Sequence, residues 1–320
     1  MMNIIERIEK AKHIVVIAHK NPDADSFGSA SAFYTYLLQL HKKVSFFCKT
    51  KDISPKLLFL PWSDKVRDGF PKSADLAVSL DCGSKNRLGI EFECDLINID
   101  HHESNSHFGT YNLVDSSCIS TTHVLSNFFL KHNIKINKKM ATALYAGLLD
   151  DSNGFMSSEV DGTVFALQQM LIESGADYTI CNHFLMNYIS LAALRLKGLM
   201  FTNMQLTHNA TIALFHVYNK DMKQTGAMGE DCEYALEEAL YLPTVKVSIL
   251  LKENKDLSVK VSLRSSSERL DMSRIASHFG GGGHKIRSGC TFSKEYTLQK
   301  ASQELLQHIK KELKFGTEKI

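Results

Sequence analysis

Proline is scarce in this 320-residue chain, at 5 residues, and tryptophan occurs once. Seven cysteines (Cys48, Cys82, Cys94, Cys118, Cys181, Cys232, Cys290) are scattered singly. No two stand in a C-x-x-C pair, which argues against a zinc ribbon or a thioredoxin-like redox site. An odd, unpaired set fits a reducing, cytoplasmic setting, with each thiol a small buried hydrophobe. No apolar core follows the charged opening MMNIIERIEKAK, so a secretory leader is not expected. The longest apolar stretches, such as residues 140–149, reach about half of the roughly 20 residues a membrane span needs. A surplus of one charge is also missing. The 37 Lys and Arg against 35 Asp and Glu leave +2, too little for a broad grip on long duplex nucleic acid.

What is present is an ordinary globular composition, 44% hydrophobic and 22% charged, in a chain longer than one core usually serves. Two domains are therefore expected, at 1–185 and 209–320, with a helical connection at 186–208. In the first, apolar runs of strand length (HIVVIA at 13–18, 44–48, LAVSL at 76–80, LINI at 96–99) alternate with helical stretches at 26–40, 120–131, 138–150 and 163–173. Continuous apolar strands between helices imply an α/β domain, a parallel sheet covered by helices on both faces. Beyond it, strands at 210–217, 244–251 and 257–263, a short helix at 273–278 and a final one at 293–313 imply a smaller α+β domain.

The chemistry collects where the apolar runs end. His19-Lys-Asn-Pro-Asp23-Ala-Asp25 follows the first; Pro22 cannot continue a ladder, so the chain leaves the sheet there. Ser26 is placed to cap the next helix, and Gly28 permits close backbone approach. Asp81 follows LAVSL directly, and Asp100-His101-His102 follows LINI. Asp150-Asp151 closes the apolar helix that begins near Met140. In open α/β sheets functional groups gather at the carboxyl ends of strands. Carboxylates crowded at one edge repel one another, and a bound cation resolves the repulsion. Mixed imidazole and carboxylate ligands without thiolate suit Mn²⁺, Fe²⁺, Co²⁺ or Zn²⁺ better than Mg²⁺. More acidic groups than one ion can use imply two divalent cations with a bridging carboxylate suited to in-line phosphoryl displacement.

Gly280-Gly-Gly282-Gly283-His284 reads either as a flexible linker or as an anion nest with an imidazole donor. Arg264 ends a strand and offers a bidentate fork for phosphate, against the plainer alternative of a surface ion pair with Glu268. Arg87 leaves a cleft-facing and a structural role open, and the basic run 131–139 reads as a solvated helix end.

The combination resembles the DHH phosphoesterase family. The motifs that carry the likeness are HKNPDADSFGSA, the isolated Asp81, the triplet Asp100-His101-His102, and Asp151 in GLLDDSNGF. The segment LRSSSERLDMSRIASHFGGGGHKIRSG is similar to the family's DHHA1 substrate-binding domain. The resemblance spans His19 to Gly289 and is nearest to the bacterial oligoribonucleases (nanoRNases) that also act as 3′-phosphoadenosine-5′-phosphate (pAp) phosphatases. It implies one ion on His19, Asp23 and Asp81, and another on Asp25, Asp81, His101 and Asp151, with Asp81 bridging. Asp151 is preferred to Asp150 because the family's Asp falls four residues after the glycine, here Gly147. His102 is then either a group behind the metal ligands or an acid/base group near the leaving oxygen, and Asp100 orients its neighbours, while Arg264, Gly282, Gly283 and His284 contact substrate. The chain departs from the family where Asp150-Asp151-Ser152-Asn153 replaces Thr-Asp-Thr-Gly, and where Arg287-Ser288-Gly289 replaces Ala-Ala-Gly. The implied activity is hydrolysis of short RNA, pApA or pAp in the cytoplasm. Alternatives are a cyclic di-AMP phosphodiesterase and, from another class, a catalytically silent nucleotide-binding regulator. No long duplex or membrane partner is expected, and a homodimer stays open.

Overall fold

The computed structural model describes residues 4–315, in two compact units, Met1–Tyr188 and Ile189–Ile320. In the first unit a short helix α1 (Ile4–Lys10) precedes strand β1 (His13–Ala18), helix α2 (Ala24–Gln39) and strands β2 (Lys43–Phe47), β3 (Val66–Arg67), β4 (Leu76–Leu80), β5 (Asp95–Asp100) and β6 (Tyr111–Val114). Helices α3 (Thr121–Lys131), α4 (Lys138–Asp151), α5 (Gly162–Glu173) and α6 (Tyr178–Cys181) follow. The sheet order is β3-β2-β1-β4-β5-β6, and every pairing is parallel.

Strands β1 and β4 are buried throughout, as a parallel sheet covered on both faces requires. One face packs on α2, α3 and α4 through residues such as Phe27, Phe33, Phe129 and Leu144. The other closes on a thinner layer that includes Phe70, Leu88, Ile90 and Phe92. β3 and β6, Val66-Arg67 and YNLV, lie at the two sheet edges and are too short or too polar to stand out as apolar runs. Chain order reverses between β1 and β4, the point at which open α/β sheets present a crevice at their carboxyl edge.

The second unit contains α7 (Leu191–Thr202), β7 (Gln205–Thr207), β8 (Ile212–Val217), α8 (Asn219–Thr225), α9 (Glu233–Ala239), β9 (Val247–Glu253), β10 (Val259–Ser265), α10 (Met272–His278), β11 (Gly282–Gly283), β12 (Arg287–Phe292) and α11 (Leu298–Phe315). Its sheet runs β11-β12-β10-β9-β8-β7 and is antiparallel except where β8 meets β9. Val261, Leu263 and Ile249 pack with Ile275 and Leu305 of α10 and α11. On the opposite face Phe215 and Leu250 pack with Leu196 of α7 and Leu236 of α9. The helical stretch expected as a connection at 186–208 therefore divides, because α7 buries its apolar side in the second core. Among the described residues no single helix is long and apolar enough to cross a membrane.

Candidate metal centre and the glycine-rich edge

The first helix after β1 starts two residues earlier than its sequence pattern implies. Asp23, not Ser26, caps it: Asp23 Oδ1 accepts from the Ser26 N–H at 3.0 Å. Ser26 is used differently, its hydroxyl accepting from the His19 N–H at 3.0 Å and donating to Leu80 O at 3.3 Å. This ties the end of β1 to the end of β4. His19 Nδ1 sits 2.9 Å from Lys20 O, which places the ring proton there and aims the lone pair of Nε2 at the crevice.

Asp81 occupies the centre. Its φ of 60° is left-handed, a costly conformation for a residue with a Cβ, and its N–H is held by Ile99 O at 3.0 Å. Asp81 Oδ2 lies 3.2 Å from His19 Nε2. Oδ1 lies 3.6 Å from His101 Nε2 and accepts from Thr121 Oγ1 at 3.1 Å. Asp23 Oδ2 is 3.5 Å from the same His19 nitrogen. His101 Nε2 is in turn 3.5 Å from Asp151 Oδ2. Three groups of ligand atoms each lie within 4.8 Å of one another: His19, Asp23 and Asp81; Asp25, His101 and Asp151; and Asp81, His101 and His102.

Asp25 belongs to the first turn of α2 and is buried. Its oxygens accept from the N–H groups of Thr121 at 2.6 Å and Thr122 at 2.9 Å, the free donors at the start of α3. That reach depends on two glycines where α2 crosses α4. A Cβ on Gly28 would clash with Ala143 O, and one on Gly147 would lie 2.6 Å from Asp25 Oδ1 and 2.5 Å from Thr122 Cγ2. Thr121, Thr122 and Gly147 are functional supports that strand-end reasoning passes over. The Ser-Thr-Thr run at 120–122, a helix start, is the one sequence signal of the two threonines.

His102 and Asp100 form a separate pair. Asp100 Oδ1 is 2.8 Å from His102 Nδ1, and its Oδ2 accepts from Asn105 Nδ2 at 2.5 Å. Burial pushes the Asp100 carboxyl up, but the His102 and Asn105 hydrogen bonds outweigh it and hold the group below its ordinary range. The same hydrogen bond raises His102. Nε2 is thus the free nitrogen of a half-exposed imidazole.

The remaining carboxylates repel. Burial, then the charges of Asp25, Asp81, Asp23 and Asp150, push Asp151 up to about 11. Burial and Asp81 likewise raise Asp25 well above its ordinary value. Asp150 is raised to about 6 by burial, yet points elsewhere, its Oδ2 accepting from the Ala24 N–H at 3.1 Å. Burial disfavours a charged His19, but Asp23 and Asp81 override it and raise the ring to about 9. Arg87 Nη2 also sits 2.6 Å from His19 Nε2, a contact open only to the unprotonated nitrogen. The contact is the stronger constraint, since two donors cannot face each other at that distance. Imidazole nitrogens converging with more carboxylates than Arg87 can balance are a donor set that fits divalent cations.

In the second unit, Gly282 and Gly283 pair with Gly289 and Ser288 as the strand β11. They form a sheet edge, not the open nest their run suggests. Gly283 has φ 138°, and a Cβ there would lie 2.7 Å from Ser288 Cα, so glycine is required. His284 is exposed and begins a tight turn, its N–H donating to Arg287 O at 2.8 Å. Arg264 pairs with Glu233 at 2.5 Å and not with Glu268, which lies 3.8 Å from Lys285.

With this geometry in view, known proteins are informative. Residues 13–148 match the model of the DHH family, N-terminal domain, and residues 214–314 that of the DHHA1 domain. A probable bifunctional oligoribonuclease and PAP phosphatase NrnA of Streptococcus mutans is 24% identical over 97% of this chain and 98% of its own length. The bifunctional oligoribonuclease and PAP phosphatase NrnA of Thermus thermophilus is 26% identical, covering 98% and 94%. The crystal structure of an exopolyphosphatase-related protein from Bacteroides fragilis superposes with a TM-score of 0.87 at 24% identity, over 96% of this chain and 94% of that one.

Proposed function

As a member of the DHH phosphoesterase family with a DHHA1 domain, this chain is a hydrolase of phosphoester bonds, and we propose that it cleaves short oligoribonucleotides and pAp at a two-metal centre. The observation that carries the reading is Asp81 standing between His19 and His101 at the switch point of the sheet. His19, Asp23 and Asp81 hold one ion, and Asp25, Asp81, His101 and Asp151 the other. Mn²⁺ suits a mixed imidazole and carboxylate set. Divalent cations there supply Lewis acidity for the attack of water and for the charge gathering on phosphoryl oxygens.

The chain's own residues do the rest. The N–H groups of Thr121 and Thr122 fix Asp25, and the Nδ1–H groups of His19 and His101 donate to backbone carbonyls, so Nε2 is the nitrogen left to serve as ligand, in His19 once Arg87 gives it up. Asp100 anchors His102 by Nδ1 and leaves Nε2 to pass a proton to the departing oxygen. Asp150, bound to the start of α2, stays out of the ligand set. In the second unit Arg264 and His284 contact substrate phosphate. Near-neutral net charge agrees with a local grip on a short substrate. Seven free cysteines, all but Cys94 buried, agree with work in a reducing cytoplasm.

A product assay with pAp, pApA, cyclic di-AMP and short RNA in the presence of Mn²⁺ tests the reading. AMP from pAp and mononucleotides from pApA and short RNA are expected. Cleavage of cyclic di-AMP alone would move the chain to the cyclic dinucleotide enzymes. Tight pApA binding without AMP release would make it a silent regulator.

A further inference from the structure

Across the antiparallel pair β10 and β12, Arg264 stands directly opposite Arg287. Alternate residues of a strand share a face, so Lys260, Ser262 and Arg264 lie beside Arg287, Gly289 and Thr291. Val261 and Leu263 turn the other way, into the core with α10 and α11. The basic face is the one that meets α9, whose Glu233 and Glu237 are one turn apart and project to the same side. Each glutamate takes one arginine. Glu233 Oε2 is 2.5 Å from Arg264 Nη2, while its Oε1 accepts from Ser262 Oγ at 3.0 Å. Glu237 pairs with Arg287 Nη2.

The two pairs differ in burial. The Arg264 side chain is 11% exposed, and its Nε has no hydrogen-bond partner among the described residues. The Arg287 side chain is 62% exposed and its glutamate 46%, so that pair is weak in water and readily exchanged. Beside Arg264 runs a groove of about 500 Å³ lined by Glu233, Lys260, Ser262, Gly281 and Gly289. Glycine backbone allows a ligand to approach closely there. A phosphate group offers three oxygens and up to two charges, and competes for a guanidinium better than one carboxylate does.

We propose that Arg287 is the movable half of a two-arginine phosphate clamp. Arg264 is the fixed half, set in place by Glu233; Glu237 holds Arg287 until a substrate phosphate takes it over. The inference rests on the reading that the second unit receives nucleotide phosphate, and it assigns a role to a residue that stands where the family resemblance leads one to expect alanine.

Two substitutions decide it, because they break the same ion pair from opposite ends. With pApA and Mn²⁺, Arg287→Ala should raise KM about tenfold, one charge-assisted contact, with kcat changed by no more than about twofold. Glu237→Gln should lower KM about threefold, since the competitor for Arg287 is gone. Calorimetric titration of the metal-free full chain with inorganic phosphate should reproduce the opposite signs without any turnover. An ion pair that only braces α9 against the sheet predicts equal small losses of melting temperature from both changes and no shift in KM or phosphate affinity. That result would overturn the clamp. If the unaltered chain hydrolyses neither pApA nor pAp, the proposed activity fails, and the phosphate titration still decides the clamp.

Discussion

Replacing Asp151 by Asn should stabilise the metal-free protein and abolish its use of metal. Asp151 sits among Asp25, Asp81, Asp23 and Asp150, and burial with their charges raises it from 3.8 to about 11. A carboxyl group raised on folding makes the folded state bind more protons than the unfolded one. Stability is therefore unaffected well below pH 3.8 and is lost steadily as the pH climbs towards the folded value. At 1.36 kcal/mol per pH unit the penalty is roughly 3 kcal/mol larger at pH 7 than at pH 5. Asn carries no such penalty. Its amide has a desolvation cost of its own, but that cost is the same at both pH values, so the difference between them is the diagnostic quantity. For a unit of this size it corresponds to a gain in melting temperature larger by about 5–10 °C at pH 7 than at pH 5. The assay is calorimetric unfolding of both proteins with a chelator present. Saturating Mn²⁺ should then invert the order. A ligand at a hundredfold its Kd adds about 2.7 kcal/mol to the protein that binds it, and the Asn variant should gain far less. An equal gain at pH 5 and pH 7, or a loss at pH 7, would refute the idea that carboxylate repulsion is stored at this centre.

Other consequences are as direct. Asp81→Ala removes the one carboxylate that, among the described residues, lies within 4 Å of both His19 and His101, and should lower hydrolysis about 10³-fold; metal analysis of the purified variant should find neither ion retained, and full activity would exclude a bridging role. Gly147→Ala places a methyl group 2.6 Å from Asp25 Oδ1, so overpacking should cost about 1–3 kcal/mol of stability and weaken Mn²⁺ binding in the same sample, as read by calorimetry. His102→Gln should lower kcat about 10²–10⁴-fold with metal content intact; loss of metal would instead make His102 a ligand.

Much of the centre is legible because a parallel sheet converts sequence position into spatial position. A residue that follows a short, mostly apolar run of four to six residues emerges at the carboxyl edge, which is why His19, Asp81 and the Asp100–His102 triplet could be read together. Asp25 illustrates where this stops. Its partners Thr121 and Thr122 lie 96 and 97 residues away, and the contact exists only because Gly28 and Gly147 let two helices close on each other. Pairwise long-range packing leaves no period in a sequence. Ser26 fails as a cap for a related reason: both Asp23 and Ser26 are good caps, and only the tie between His19, Ser26 and Leu80 decides which one is free to serve. The second unit is less legible still. β12 reads RSGCTF, with one strong apolar residue in six positions, and α9 is seven residues long, so neither announces itself. Without them the glycine run reads as a linker or a nest, and Arg264 as a phosphate fork whose plainer alternative is Glu268. With them, the run becomes a sheet edge and Arg264 belongs to Glu233.

The centre and the arginine face solve the same electrostatic problem with opposite signs. At the centre, buried carboxylates outnumber their donors: Asp25 accepts from the start of α3 and Asp100 from His102 and Asn105, while Asp151 is pushed up by burial and by the charges of Asp25, Asp81, Asp23 and Asp150. Filling the Asp151 position with an amide would be kinder to folding, so a carboxylate there suits a cation site better than it suits stability. On the second unit two arginines crowd one cross-strand position, and two glutamates neutralise them. There the compensation comes from the chain itself, and one half of it lies at the surface where it can be exchanged. A cation site that needs an external ion and an anion site that carries replaceable counter-charges are each suited, in their own unit, to a phosphate group.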